Sequence, residues 1–301
     1  MGTIAEVIVL GGHRRELLAA CARELGICES LLSRFDPDSD ISRLNAARGM
    51  WVEVDELTDE VLQTASRLAT ASCGAFTPLI GALVESWDVK GWLAAIAAGA
   101  RWHPPDPAVV QQARRRTDPG LLEGAGGRWR LGDGAQLDLG GIAKGWVADR
   151  LRDLCIALGA TSALVSIGTS SVATSGDAGD KPWRVGIQSL DDGIIGSIAL
   201  RGQSLATSGD HLQRLPELVT STVVHHVIDP RSGYPSASGV RQASVVCPNG
   251  AHAEVAATTL MVTGGLPPAL ATESEWVCLS DHIEVSPGLD IALTAARSEP
   301  R

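Results

Sequence analysis

A glycine-rich segment ahead of a predicted helix is where this sequence first suggests chemistry. Residues 137–145 read LDLGGIAKG, and the paired glycines Gly140 and Gly141 let a backbone come close to a bound group. The amides of the first helical turn can face an anion, and Lys144 adds a positive charge. The Gly-x4-Gly-Lys-Ser/Thr spacing of a Walker loop is absent. The segment suits a phosphate-bearing ligand, with a purely structural glycine junction as the alternative.

Two adjacent histidines begin the segment 225–235, HHVIDPRSGYP. The segment is predicted to be a β-like run that ends in a tight turn. Because successive side chains of a strand point to opposite faces, at most one of His225 and His226 can face any given site. A histidine is suited to act as a base. A structural histidine with satisfied hydrogen bonds is the alternative.

A carboxylate and a hydroxyl share one face of a helix predicted over residues 253–262. Glu254 and Thr258 are four residues apart, so both could converge on one hard cation. Oxygen ligands of this kind fit magnesium. The alternative is an acid near a helix N-terminus and a packed threonine.

The two phenylalanines of the chain, Phe35 and Phe76, occur in the segments 33–45 (SRFDPDSDISRLN) and 74–84 (GAFTPLIGALV). An aromatic face at these positions could stack on a planar ring. The aspartates of the first segment lack the glycine and the closing glutamate of a calcium-binding loop. We therefore expect a solvated, Asp-rich turn there.

The elements that must position these residues differ between the two halves of the chain. Residues 1–125 are predicted to form a mostly helical lobe and residues 126–301 a mostly β lobe. No obvious linker separates them, so we predict one α+β domain over residues 1–301. Helices are predicted over 14–32, 57–72, 93–99, 106–116, 143–158 and 253–262. Strands are predicted over 3–10, 128–131, 162–167, 183–188, 196–200, 222–228, 242–247, 275–279 and 290–294.

Composition excludes several classes of protein. The chain has 301 residues, 45% of them hydrophobic, and a net charge of −10, which argues against extensive contact with nucleic-acid phosphates. No export signal is visible, and no apolar run reaches the roughly 20 residues needed to span a bilayer. We therefore expect a soluble, cytoplasmic protein. Its six cysteines form no CxxC pair and are expected to be reduced core thiols.

Taken together and in this order, the segments resemble the ApbE family of flavin transferases, from Met1 to about Gly265. The closest matches are residues 33–45, 137–145, 206–210 (ATSGD) and 226–230 (HVIDP). The resemblance implies a two-lobed α+β fold of mixed, largely antiparallel sheets flanked by helices, with the site between the lobes. It also implies a magnesium-dependent enzyme that moves FMN from FAD to a Ser or Thr hydroxyl of an acceptor protein through a phosphoester bond. AMP would be released.

The resemblance further implies a set of site residues. Magnesium would be held by the backbone carbonyl of Gly141, by Glu254 and by Thr258. His226 would take the proton of the acceptor hydroxyl or orient the acceptor, and Lys144 would stabilise charge on the phosphates. The residues expected to contact FAD are Met1, Phe35, Ala75, Phe76, Thr77, Asp138, Lys144 and Ile228.

Four departures from the family pattern leave the activity open. Thr77 replaces an acid and is followed by Leu79 in place of a threonine. Residues 166–170 (SIGTS) replace Asn-x-Gly-Gly-Asp, Glu254 replaces an aspartate, and Phe35 stands where many members have tyrosine. The alternatives are an FAD pyrophosphatase that makes FMN and AMP, a non-catalytic flavin-binding protein, and a metal-dependent hydrolase of another nucleotide. The acceptor protein and the oligomeric state are not predicted.

Overall fold

A computed structural model describes residues 3–191, 193–211, 213–216 and 223–294. Over these residues the α-helices are α1 Arg14–Leu32, α2 Asp40–Ala46, α3 Glu56–Ala71, α4 Gly81–Trp87, α5 Val89–Ala97, α6 Pro107–Arg115, α7 Ala143–Ala157, α8 Gly250–Thr263 and α9 Pro268–Ala271. The strands are β1 Ala5–Leu10, β2 Val52–Glu53, β3 Leu122–Ala125, β4 Arg128–Leu131, β5 Ser162–Ile167, β6 Ser171–Ser175, β7 Trp183–Gln188, β8 Ile194–Leu200, β9 Ser204–Gly209, β10 Ile228–Asp229, β11 Tyr234–Pro235, β12 Gln242–Cys247, β13 Glu275–Leu279, β14 Ile283–Val285 and β15 Ile291–Leu293.

A seven-stranded sheet forms the centre of the fold, in the order β1-β5-β6-β9-β12-β13-β14. Every strand pairing within the described residues is antiparallel. Helices α7 and α8 pack against this sheet and against each other. The predicted α+β class with largely antiparallel sheets is therefore confirmed.

Successive side chains of the central strands point to opposite faces of the sheet, and both faces are buried. Ala206 and Val245 pack with the small side chains of α8. Their neighbours Leu205 and Val246 pack on the opposite side, against the three-stranded sheet β15-β8-β7. The fold is thus layered as helices, large sheet and small sheet.

The two predicted halves of the chain contribute strands to the same sheets. Strand β1 pairs with β5 along its whole length, from Ala5 opposite Ile167 to Leu10 opposite Ser162. Strand β4 pairs with β2 and with β3, so this small sheet crosses the predicted boundary at residue 125. The division into a helical and a β lobe stays a prediction.

The strand predicted over residues 222–228 is wrong for the part that the structure describes. Residue 222 is outside the described ranges, and a two-residue strand begins only at Ile228. The side chain of buried His225 explains this, because its Nδ1 accepts a hydrogen bond from the backbone of Val227. Its Nε2 lies 3.1 Å from the carbonyl oxygen of Ser236. The backbone around His225 also pairs with the preceding loop, but within the described residues only through one isolated bridge to Arg214, so no longer strand forms there.

Two further differences concern the polar segment and the cysteines. Helix α2 begins at Asp40, inside the predicted Asp-rich turn, because the side chain of Ser39 caps it by accepting from the backbone of Ser42 at 3.0 Å. Five cysteines are buried, but Cys73 is exposed, since it lies in the turn that follows α3 and has a φ of 52°. The expectation of six core thiols is wrong for Cys73.

No helix in the described ranges combines the length and the apolar character that crossing a membrane requires.

Candidate functional site

One cleft of about 1610 Å³ gathers the predicted site residues. Met1 lies outside the described residues, and every other residue of the predicted set lines this cleft. These residues are Phe35, Ala75, Phe76, Thr77, Asp138, Gly141, Lys144, His226, Ile228, Glu254 and Thr258.

Two glycines allow helices α7 and α8 to pack closely against each other. Gly145 and Gly250 lie so close that a Cβ atom on either would collide with the carbonyl oxygen of the other. The buried carboxylate of Asp149 accepts a hydrogen bond from the Gly250 amide at 2.6 Å and holds the start of α8 in place. This close approach places Lys144 beside Glu254.

Lys144 and Glu254 form an ion pair at the floor of the cleft. The Nζ atom of Lys144 lies 3.1 Å from Oε1 of Glu254 and 3.2 Å from the carbonyl oxygen of Gly140. The Ser171 hydroxyl donates to the same carboxylate, and the Glu254 residue is buried. A cationic group thus already occupies the space in front of the Glu254 oxygens.

The oxygen atoms around this ion pair fit magnesium. Thr258 lies one helical turn after Glu254, and a Cβ atom placed on Gly141 would be 3.8 Å from Oγ1 of Thr258. No cluster of three His, Cys, Asp or Glu side chains occurs among the residues described. One carboxylate, one hydroxyl and a backbone carbonyl suit a Mg²⁺ ion that takes its remaining ligands from water and substrate phosphates.

Asp138 carries the second charge pair of the cleft. Its Oδ2 lies 3.3 Å from Nη1 of Arg34, and its Oδ1 accepts from the Gly140 amide at 2.8 Å. We call Arg34, Asp138, Lys144 and Glu254 the charged corner.

The two phenylalanines have different environments. Phe35 is 82% exposed, and the guanidinium carbon of Arg34 lies 4.8 Å from its ring centroid. Phe76 is buried, with its ring 3.3 Å from where a Cβ atom on Gly141 would be. Phe35 therefore offers a free aromatic face for stacking, whereas Phe76 closes the floor of the cleft.

His226 is a further titratable residue that lines the cleft. Its amide donates to the carbonyl of Gln213 at 3.1 Å. Its Nδ1 is buried and has no hydrogen-bond partner in the part of the chain that the structure describes. Burial, with a smaller contribution from His225, lowers the pKa of His226 to about 4. The imidazole is therefore neutral at pH 7 and able to accept a proton.

Other polar groups near His226 are also unsatisfied. Nδ1 of His211 and Oε1 of Gln242 are buried without partners over the described ranges, while Nε2 of Gln242 donates to the Gln188 carbonyl at 2.9 Å. These residues line the same cleft. We call Gln188, His211, Gln213, His226 and Gln242 the neutral corner.

Three of the positions that depart from the family pattern line the cleft, namely Thr77, Thr169 and Ser170, and Thr77 and Ser170 carry hydroxyls in place of acids. The Thr77 hydroxyl accepts from the Leu79 amide at 3.2 Å. Thr169 has a φ of 59°, and the carbonyl of Ser170 accepts from the Thr207 amide at 2.7 Å. The backbone at these positions is therefore held without a carboxylate.

Several lining residues were not predicted from the sequence. Arg34 and Ser208 lie inside the segments that match the family, so their positions there were a usable signal. His211, Gln213 and Gln242 follow no pattern that marks a site. Only the strand order brings them to the cleft.

A family model described as the ApbE family matches residues 1–275. The chain belongs to the ApbE family. Among its relatives, an FAD:protein FMN transferase of Treponema pallidum is 33% identical over 258 residues, which cover 78% of this chain and 68% of that protein. An FAD:protein FMN transferase of Rhodobacter capsulatus is 35% identical over 240 residues, which cover 75% of this chain but only 42% of that protein.

Solved ApbE structures have the same fold. The ApbE protein of Thermotoga maritima superposes with a TM-score of 0.82 at 25% identity, covering 95% of this chain and 94% of that one. The apo flavinyl transferase ApbE of Pseudomonas stutzeri gives a TM-score of 0.79 at 25% identity, covering 98% and 92%. The predicted family and the prediction of a transferase enzyme are confirmed. The roles of individual residues stay predictions.

Proposed function

We propose that this ApbE-family chain transfers FMN from FAD to a Ser or Thr hydroxyl of an acceptor protein, with release of AMP. The observation that supports the proposal is the cleft itself, whose lining includes His226 and Glu254 around one space large enough for a dinucleotide. The names of the relatives from Treponema and Rhodobacter support this substrate.

The charged corner would bind the pyrophosphate. The ammonium of Lys144 can leave the Glu254 carboxylate and pair with phosphate oxygens, because it is part-exposed on a flexible stem. A magnesium ion held by Glu254, Thr258 and the Gly141 carbonyl would supply charge neutralisation at the reacting phosphate. The exposed ring of Phe35 would stack on one of the planar rings of FAD.

The reaction requires one bond to form and one to break. The acceptor oxygen bonds to the phosphorus of the FMN half while the bond from that phosphorus to the bridging oxygen breaks, so that AMP leaves. His226 would accept the hydroxyl proton or orient the acceptor, and its imidazole is neutral at pH 7, with an acceptor nitrogen for a hydrogen bond from the hydroxyl. The residues that line the cleft would orient the two substrates and neutralise charge on the phosphates, which is most of what catalysis of phosphoryl transfer needs.

The test is incubation of the purified protein with FAD, with and without Mg²⁺, and with a pool of Ser- and Thr-containing peptides. We expect AMP only when Mg²⁺ is present, together with an FMN mass added to a peptide. Free FMN and AMP without peptide modification would instead indicate an FAD pyrophosphatase. If FAD is bound but stays intact in every condition, the protein is not a catalyst of this reaction. If another nucleotide is turned over and FAD is not bound, FAD is not the substrate.

A further inference from the structure

We propose that the free edge of strand β7 binds an extended segment of the acceptor polypeptide as an added strand, next to His226. This inference rests on the proposed function, because it names how the protein substrate of that reaction is held. Strand β7 is at the edge of the sheet β15-β8-β7, and its pairing with β8 is its one strand pairing in the described residues.

The hydrogen-bond pattern of β8 shows which groups of β7 point outward. The Ala199 amide donates to the Asp290 carbonyl at 3.1 Å, away from β7. In an antiparallel strand the N–H and C=O of one residue point to the same side, and the side alternates along the chain. Ala199 is opposite Arg184, and Ser197, two residues earlier, is opposite Gly186. The N–H and C=O of Arg184 and Gly186 therefore point away from β8, toward open space.

One group on this outer edge already has a partner. The carbonyl of Gln188 accepts the side-chain amide of Gln242 at 2.9 Å. The backbone groups of Gly186 have none within the described ranges. Gly186 is exposed and lines the cleft, and a Cβ atom there would meet nothing closer than 3.4 Å, at Ile194. Among the residues that the structure describes, no side chain covers this accessible donor and acceptor.

This edge leads directly into the neutral corner. Gln242, whose side chain donates to the Gln188 carbonyl, pairs in register with Gly209 on β9. Gly209 and Gln213 both line the cleft, and the Gln213 carbonyl accepts from the His226 amide. A strand added to β7 would pass beside these residues, with alternate side chains directed to opposite sides. A hydroxyl on one of those side chains could then approach His226.

The chemistry of the edge favours a neutral polypeptide over a nucleotide. The residues of β7, of the β7–β8 turn and of the start of β8 that line the cleft are uncharged, namely Gly186, Ile187, Gln188, Gly193 and Ile194. Phosphate groups require cations or helix N-termini. An extended peptide offers backbone donors and acceptors at the spacing that a strand edge demands. The fitting occupant is therefore a neutral, extended segment that carries the Ser or Thr to be modified.

The first test uses the wild-type protein and the best peptide substrate found in a library of 12-residue peptides with one central Ser or Thr. Each backbone nitrogen of that peptide is methylated in turn, which removes one donor and leaves every side chain in place. We expect KM for the peptide to rise about tenfold at alternate positions and to change little at the positions between them. A rise without this period of two overturns the proposal.

The second test changes the edge itself. Gly186→Pro removes the outward N–H and leaves the bonds from β7 to β8 intact, since proline is tolerated at such edge positions. Gly186→Ala is the matched control, because it keeps the N–H and its Cβ fits beside Ile194. We expect about a tenfold higher KM for the peptide in the proline variant, with kcat, FAD affinity and melting temperature unchanged.

The outcomes separate this inference from the proposed function. An unchanged peptide KM in Gly186→Pro, or a loss of FAD affinity in place of peptide affinity, overturns strand addition at β7. A wild-type protein that cleaves FAD but modifies no peptide of the library also overturns it. A wild-type protein that leaves FAD intact contradicts the proposed function instead.

Discussion

The charged and neutral corners face the same cleft but satisfy their polar groups differently. In the charged corner each group has a partner from the chain, with Lys144 on Glu254 and Arg34 on Asp138. In the neutral corner, buried atoms of His226, His211 and Gln242 lack partners among the described residues.

The difference shows how one cleft can serve two substrates. Buried charges are costly unless they are paired, so the charged corner holds itself together and exchanges partners when a ligand arrives. An unpaired neutral group costs less, roughly 1–3 kcal/mol, and can be left for a ligand to satisfy. The charged corner therefore suits the pyrophosphate of FAD, and the neutral corner suits an uncharged acceptor.

The largest effect is expected from Glu254→Ala in the charged corner. Removing the carboxylate removes the anchor for the cation and leaves Lys144 unpaired. Metal-assisted charge stabilisation is worth several kcal/mol, so AMP release from FAD should fall by about 10³-fold. Glu254→Asp restores a carboxylate and should recover most of the rate. Comparable rates for the alanine and aspartate variants would exclude Glu254 as a metal ligand.

His226→Ala tests the neutral corner. The loss of a positioned base should slow FMN transfer by about 100-fold. FAD affinity, measured by flavin fluorescence, should be unchanged, because the proposed phosphate site is the charged corner. His225→Asn is the neighbouring control, and its effect should appear in protein stability because His225 bonds to Ser236 and not to the cleft. A wild-type transfer rate in His226→Ala would remove the proposed base.

In the charged corner, Lys144→Met separates the effect of the ammonium group on FAD turnover from its effect on metal binding. FAD turnover should fall by about tenfold, because a cation near the phosphates is lost. Mn²⁺ binding without FAD, measured by electron paramagnetic resonance, should become tighter, since the Glu254 carboxylate no longer has the ammonium as a competitor. Weaker Mn²⁺ binding in this variant would mean that Lys144 does not compete with the metal.

The smallest effect is a dependence of folding stability on pH that comes from the neutral corner. The pKa of His226 is lowered to about 4 from 6.5. Between these values the unfolded chain takes up a proton that the folded chain does not, so stability falls as pH falls below 6.5 and is unaffected by this group above it. Relative to His226→Asn, the wild type should lose about 1 kcal/mol more between pH 7.5 and pH 5.8 in urea unfolding. An equal loss in both proteins would place His226 in contact with water.

Local sequence patterns predicted the regular elements well and the polar ones poorly. Helix α1 occupies the predicted residues 14–32, because its apolar spacing is strongly periodic. Strands β6 and β9 were not predicted, since their sequences SVATS and SLATSG carry too few large apolar side chains for a strand signal. Their burial in the middle of a sheet, not their own propensity, makes them strands.

The sequence by itself determined the family, the α+β class and most of the chemical groups of the site, because these depend on short contiguous segments such as 137–145. Tertiary structure alone decided which groups meet. Lys144 pairs with Glu254 because two glycines let α7 and α8 touch. His226 meets Gln213 through a backbone hydrogen bond between two loop segments, and Gln242 lines the same cleft because β12 pairs with β9 in the central sheet. Contacts between distant segments depend on packing and strand order, which no local pattern of residues records.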